Sequence, residues 1–316
     1  MTTPGDPLAA FAPALAGKRV FVTGGTGFFG RSLIDLLARG ALPETEWVLL
    51  SRDPAAFRAR CPEAAALPQV RLLRGDVRDF PLAEAACDLI WHGAAPAVLG
   101  LPPGEMASII EDGTRRVLEL ARRCGAERLL FISSGAVYGP QPPEITHLPE
   151  TYEGEPVTEY GRAKKRAERL CLEAGIPTVI ARGFAFLGRH LNRNIHFAAG
   201  NFLRDALAGG PVTVEGDGTP VRSYLYADDL VEWLLAALLR GRPGEAYNIG
   251  SEEAVTIREL AEKVAAILGG GPVEVRRAPV PGVAPERYVP ATAKARRELM
   301  VDVRVPLEAA IRLSAR

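Results

Sequence analysis

Lys18-Arg19-Val20-Phe21-Val22-Thr23-Gly24-Gly25-Thr26-Gly27-Phe28-Phe29-Gly30 is the stretch on which the fold turns. Lys18 to Val22 reads as a short strand, and the glycines follow at once. After Gly30, Ser32-Leu33-Ile34-Asp35-Leu36-Leu37-Ala38 carries apolar residues at helical spacing. Gly25, Gly27 and Gly30 fit G-x-G-x-x-G, and Gly24, Gly27 and Gly30 fit G-x-x-G-x-x-G. Strand, glycine loop and helix in that order make a seat for a dinucleotide. The turn must be tight, the backbone must approach the pyrophosphate, and the helix N-terminus supplies N–H groups and partial positive charge. Gly24, Gly27, Phe28, Phe29 and Gly30 are the candidate contacts. The alternative is a glycine-rich turn with no ligand, and the flanking strand and helix count against it.

A second strand, Glu46-Trp47-Val48-Leu49-Leu50, ends about twenty residues past the glycines, where a ribose-reading acid is expected. Ser51 stands there instead, followed by Arg52-Asp53-Pro54. The planar fork of an arginine suits a phosphate. The reading therefore favours NADP(H) over NAD(H), which stays open if Asp53 reads the ribose. The third strand, Val70 to Val77, ends in Asp76 and Val77; Asp76 is placed to accept from the adenine amino group or to serve as a turn residue. Asp88 to Ala95 reads as a fourth strand running into small residues, with Ala94 close to the cofactor.

Leu129-Leu130-Phe131-Ile132 reads as a buried strand, and Ser133-Ser134-Gly135-Ala136-Val137-Tyr138-Gly139 leaves its carboxyl end, where ligands of open α/β sheets bind. Tyr160 and Lys164 are four apart and share a helix face. A free tyrosine titrates near pH ~10. A cation one turn away is expected to favour the phenolate and make Tyr160 a usable proton carrier. Ser134 is placed to hold the same substrate oxygen. Alone, the Tyr-Lys pair would read as an amphipathic helix with a solvated basic run; joined to the glycine loop and the serine strand end it reads as hydride-transfer chemistry on a carbinol or ketone.

At these motifs the chain resembles the extended short-chain dehydrogenase/reductases, the superfamily of nucleotide-sugar epimerases, dehydratases and reductases. Gly113-Thr114, Gly216-Asp217-Gly218, Arg222 to Leu230, Tyr247-Asn248-Ile249-Gly250-Ser251 and Glu286-Arg287-Tyr288 carry the resemblance onward. It implies an NAD(P)-dependent enzyme with Ser134, Tyr160 and Lys164 as the catalytic three. Arg222 and Arg287 would face a sugar-nucleotide diphosphate, with Asn201 near the nucleotide. It also implies a homodimer built on the helix near Ala107 to Arg123 and on the Tyr160 helix. The departures are informative. Sugar 4,6-dehydratases of this superfamily carry Asp-Glu directly after the catalytic Ser or Thr, and here those places are Gly135 and Ala136. A decarboxylase-type glutamate is missing from the loop too. Ala185 stands where many relatives carry a substrate-binding Asn, and Ile110 replaces the Asn usual three residues before the Gly-Thr pair. What is left is reduction of a keto-sugar, with ring position C4 favoured, or transient oxidation and return in an epimerase. A non-catalytic NAD(P)-binding sensor has no use for all three catalytic groups. A reductase of a non-sugar ketone, suggested by the Ser-Arg-Asp-Pro element, has no use for Arg222 and Arg287.

The alternation of strands and helices through roughly residue 180 implies an α/β fold, a Rossmann-type doubly wound parallel sheet, with residues 18–188 mainly its dinucleotide-binding domain. Residues 189–316 read mainly as a smaller C-terminal substrate-binding lobe, with the chain crossing back, and residues 1–17 as an extension with a helix around Pro7 to Leu15. The lobe includes helices over Phe202 to Ala208 and Ile257 to Leu268 and a short strand, Pro211-Val212-Thr213-Val214. Lys plus Arg and Asp plus Glu number 38 each in 316 residues, which gives no electrostatic pull towards nucleic acid or anionic membrane. Cys61, Cys87, Cys124 and Cys171 are widely spaced, and His92, His147, His190 and His196 form no metal-binding spacing, so no metal and no disulfide framework is expected. The first seventeen residues lack a basic n-region, so a cytoplasmic location is expected.

Overall fold

A computed structural model describes residues 8–96, 100–194 and 197–316. Seven parallel strands form the central sheet: β1 (Arg19–Thr23), β2 (Glu46–Ser51), β3 (Val70–Arg74), β4 (Leu89–His92), β5 (Arg128–Ser134), β6 (Thr178–Gly183) and β7 (Ala246–Ile249). Their spatial order is β7-β6-β5-β4-β1-β2-β3. The order reverses between β1 and β4, so the carboxyl ends of these two strands open a crevice at the switch point. The strands are almost continuously apolar because both faces are covered.

On one face lie α1 (Phe28–Ala38) and, from later in the chain, the helix Ala227–Arg240. The latter buries Leu230, Val231, Trp233, Leu234 and Leu235, so it lies deep in the fold. The short turn of helix Ala12–Leu15 ends the N-terminal extension, and Leu8, Phe11 and Leu15 join the same core. The helix expected from Pro7 is shorter than that, and Pro7 itself lies outside the described residues. The other face is covered by α3 (Glu105–Cys124) and α4 (Glu159–Glu173), packed against each other. Between β2 and β3, Pro54–Arg60 forms α2.

A third apolar cluster gathers residues after Gly183, including Leu187, Phe202, Leu203, Val212, Val214, Leu260 and Ile311. The helix Ile257–Leu268 appears as expected, opened by a capping box between Thr256 and Glu259. The helix expected from Phe202 starts earlier, at Ala198, and ends at Leu207. Gly200 is a poor helix former, but it packs so tightly on the Asn192 carbonyl that a Cβ would approach it to 2.2 Å. Packing overrides the propensity. The proline-rich stretch after Gly139 is tied down by two backbone bonds, Leu148 N–H to the Val289 carbonyl and Ala291 N–H to the Leu148 carbonyl, each 2.8 Å. Those bonds carry the neighbouring Tyr288 over the sheet's carboxyl edge.

Candidate active site

The glycine loop is a cradle with no room for side chains. Gly24 has φ +75°, and a Cβ there would lie 2.6 Å from the Gly93 carbonyl. A Cβ on Gly30 would lie 2.2 Å from Gly25. Gly27 caps α1, and the first-turn N–H groups of Phe28, Phe29 and Gly30 have no partner within the helix. The rings of Phe28 and Phe29 pack with Phe186, with centroids 6.4 and 5.4 Å away. The backbone here thus has the shape and donor set that a pyrophosphate requires.

The walls of this cradle are joined by a hydrogen-bond chain not foreseen from the sequence. Thr114 Oγ1 donates to the Ile110 carbonyl (2.6 Å), so it accepts from His92 Nε2 (3.0 Å). His92 Nδ1 is then the acceptor for the Thr23 hydroxyl (2.6 Å), which in turn accepts from Ala94 N–H (3.1 Å). Burial, with help from nearby Lys164, pushes His92 down to about 3, so it stays neutral and this direction is maintained. One side chain thereby links the ends of β1 and β4 to α3. Gly113, beside Thr114, lets Val77 approach: a Cβ there would meet Val77 Cγ1 at 2.8 Å.

At the adenosine end, Ser51 closes β2 and is buried, while Arg52 is exposed. Asp53 caps α2, accepting from Ala56 N–H at 2.9 Å. Asp76 accepts from Arg78 through Nε (2.8 Å), Nη2 (3.2 Å) and the backbone N–H (3.0 Å), and these bonds hold its carboxyl below the usual range. Arg78 also reaches Glu105 of α3 at 2.9 Å.

Ser134 ends β5; Tyr160 and Lys164 lie one turn apart on α4. Lys164 is 2 % exposed, and its Nζ donates to the Ile132 carbonyl at 2.7 Å. Burial pushes it down to about 8, against the opposing pull of Cys171 and Glu168, so it carries its charge at neutral pH. Its Nζ is 5.9 Å from the Tyr160 ring centroid. The expected lowering of Tyr160 by Lys164 is not what this geometry produces: burial raises the phenol, and the group that pulls it back is Ser134. The ammonium is spent on a carbonyl.

Two further groups escaped sequence reading. Tyr288 arrives from the far end of the chain, with its buried hydroxyl 3.5 Å from Ser134 Oγ and 3.4 Å from the Gly183 carbonyl it donates to. Burial keeps that phenol far above its ordinary range. A Cβ on Gly135 would meet the Tyr288 hydroxyl at 2.7 Å and the Phe184 ring at 2.8 Å. Beneath the loop, Glu168 accepts from Ser133 Oγ (2.5 Å) and from Arg182 Nε (3.1 Å) and Nη2 (2.7 Å). Arg182 in turn lies 4.8 Å over Tyr138. This buried ion pair fixes α4 against β5 and β6, and so sets Tyr160 relative to Ser134.

Arg222 and Arg287 lie on two paired strands, Val221–Ser223 and Arg287–Tyr288, one residue out of register: Tyr288 is the partner of Arg222, and Val221 that of Arg287. The two arginines are not equivalent. Arg222 donates to Glu286 Oε1 (2.7 Å) and to its neighbour's carbonyl (2.9 Å), and lies 5.8 Å over the Tyr288 ring. Arg287 has no ion pair among the described residues. Asn201 lies on the helix Ala198–Leu207, where it accepts from Arg204 at 3.2 Å. Among the described residues no group of three His, Cys, Asp or Glu side chains could hold a metal ion, and no helix is long and apolar enough to cross a membrane. His196 lies outside the described residues.

The profile of the NAD dependent epimerase/dehydratase family matches residues 20–250. The chain belongs to this family. UDP-glucuronic acid decarboxylase 1 of Arabidopsis thaliana is 32 % identical over 302 residues, covering 92 % of this chain and 67 % of that protein. In fold, the chain is similar to UDP-glucuronic acid 4-epimerase of Bacillus cereus in complex with UDP-glucuronic acid and NAD (TM-score 0.81, 24 % identity, 94 % of this chain and 98 % of that one). It is also similar to UDP-glucose 4-epimerase of Thermotoga maritima with UDP-glucose (TM-score 0.79, 24 % identity, 94 % and 97 %). The Rossmann-type parallel sheet is thus common to this family member and to both solved folds.

Proposed function

We propose that this chain is an NADP(H)-dependent oxidoreductase that reduces a ring ketone, at C4, of a nucleotide-activated sugar. The observation that carries the reading is the loop after Ser134. Gly135 and Ala136 offer no side chain to move a second proton, and Tyr288 and Phe184 fill the space beside Gly135. Elimination needs such a group, and the relatives' decarboxylation is disfavoured for the same reason. The chemistry then stops at hydride transfer.

A bound nicotinamide dinucleotide supplies the hydride. Tyr160 gives its proton to the sugar oxygen, and its raised pKa keeps that proton in place at neutral pH. Ser134 orients the oxygen against Tyr160. Lys164, charged and fixed by the Ile132 carbonyl, holds the ribose side of the pocket. Arg222 and Arg287 take the diphosphate, and Asn201 serves the nucleotide end. A homodimer through α3 and α4 belongs to the same reading; Leu118 and Leu170 flank a depression of about 390 Å³ between these helices.

A second reading, epimerisation by transient oxidation and return, uses the same three residues and is favoured by membership of an NAD-dependent epimerase/dehydratase family. Purified protein incubated with NADPH and UDP- or dTDP-linked 4-keto sugars distinguishes the two. Net loss of the reduced-nicotinamide absorbance, matched by reduced sugar, is the expected result. Tightly retained NAD with interconversion of 4-epimers and no net consumption would establish the epimerase. Release of carbon dioxide from UDP-glucuronic acid would overturn both.

A further inference from the structure

We infer that Arg74, with Arg52, reads a 2′-phosphate on the adenosine ribose of the cofactor; this rests on the NADP(H) reading above and names the second residue that enforces it. The register of the sheet carries the argument. β2 and β3 are parallel neighbours, and Ser51 is the direct partner of Arg74 at their carboxyl ends. Gly75 N–H donates to the Ser51 carbonyl at 3.0 Å, which locks the two ends together. Adjacent strands lie about 4.8 Å apart, and partnered residues share a sheet face. Arg74 is therefore beside the position at which a ribose 2′-substituent is read, and Arg52 follows that position directly.

The charges around these two arginines are arranged for an anion. Asp53, the nearest acid in the chain, is turned away to cap α2. Asp76 is held by Arg78. Arg52 and Arg74 are both exposed, and neither makes an ion pair or hydrogen bond among the described residues; the field of Arg52 is felt only as one of the minor influences on Asp76. Acids able to repel a phosphate are engaged elsewhere, while cations able to bind it are unengaged. A ribose 2′-hydroxyl needs an acceptor here and finds an uncharged serine. A 2′-phosphate finds two guanidinium groups from adjacent strand ends, each able to supply a fork of donors.

The test is a fluorescence titration of the intact protein with NADPH and with NADH, without sugar substrate. It is run on wild type, Arg52→Gln, Arg74→Gln and, as a control for bulk charge, Arg58→Gln on the exposed side of α2. Wild type is expected to bind NADPH more tightly than NADH. Arg74→Gln is expected to lose about tenfold in NADPH affinity, the scale of one charge-assisted bond, with NADH affinity unchanged. Unchanged NADH affinity also reports an intact fold. Arg58→Gln should match wild type. If Arg52→Gln weakens NADPH and Arg74→Gln does not, the role of Arg74 is overturned while the cofactor reading stands. If wild type prefers NADH, the cofactor reading falls and the inference with it.

Discussion

The two ends of the proposed reaction site are built on opposite principles. At the chemical end the groups that flank Ser134 and Tyr160 are fixed by buried partners: Lys164 by the Ile132 carbonyl, Ser133 by Glu168, and Glu168 by Arg182. At the recognition end the charged groups lie near solvent and are either free or engaged with an exposed partner. The Arg222 side chain is 21 % exposed, and its Glu286 partner 67 %. Buried polar networks are rigid when fully satisfied, whereas exposed ion pairs exchange partners at little cost. A hydride must be delivered within a few tenths of an ångström. A diphosphate must be caught and released. The difference therefore matches the two tasks, and mutations at the two ends should act on different quantities.

The largest effect is expected at the chemical end. Tyr160→Phe removes the proton assigned to the sugar oxygen and leaves the ring that packs against the apolar cluster on the α3 and α4 face of the sheet. Turnover should fall by roughly a hundredfold to ten-thousandfold, the usual worth of a positioned acid. Cofactor affinity and unfolding midpoint should stay near wild type. Single-turnover measurement of reduced-nicotinamide loss, beside a cofactor titration, checks both. If turnover survives, Tyr288 becomes the alternative proton source, because its hydroxyl is the next nearest to Ser134.

What was legible in the sequence follows the same division. The glycine loop and the Tyr160–Lys164 pair are local patterns, in which the spacing along one turn or one helix dictates the geometry. They and the parallel sheet could be read from residues close together in the chain. Tyr288 lies 154 residues from Ser134 and His92 lies 69 from Thr23, so no local period signals them. Glu168 is nearer the pattern, since it continues the Tyr160–Lys164 face by one further turn. Its partner, Arg182, sits on β6. The setting of Tyr160 is not local either: spacing places Lys164 beside it, but only the fold reveals the Ile132 carbonyl that takes the ammonium. Arg222 and Arg287 were legible as charges, but neither their one-residue offset across the paired strands nor the Glu286 bond to Arg222 alone could be read locally.

Gly135→Ala tests the seam between the two ends. The added methyl would lie 2.7 Å from the Tyr288 hydroxyl and 2.8 Å from the Phe184 ring, well inside contact distance. Overpacking of this kind costs about 1–3 kcal/mol, read as a drop in the denaturant midpoint at constant slope. Tyr288 must swing away from Ser134 to relieve it, so turnover should fall with stability. An unchanged midpoint would mean that Tyr288 and Phe184 move freely, and the chemical end would not be the rigid one.

Glu286→Gln probes the recognition end, where the effect should be smallest and of opposite sign. The carboxylate of Glu286 occupies the fork of Arg222 that a diphosphate needs. An exposed pair of this type contributes at most about 1 kcal/mol, so stability should change by no more than roughly half of that. Binding of UDP or dTDP, measured by calorimetry, should tighten by about two- to fivefold, since the incoming phosphates no longer displace or repel a fixed negative charge. The gain should shrink as salt is raised, because both charges are open to screening. Weaker binding in the variant would reverse the assignment: Glu286 would then serve to hold Arg222 in the geometry that the substrate requires, and the recognition end would be as preorganised as the chemical one.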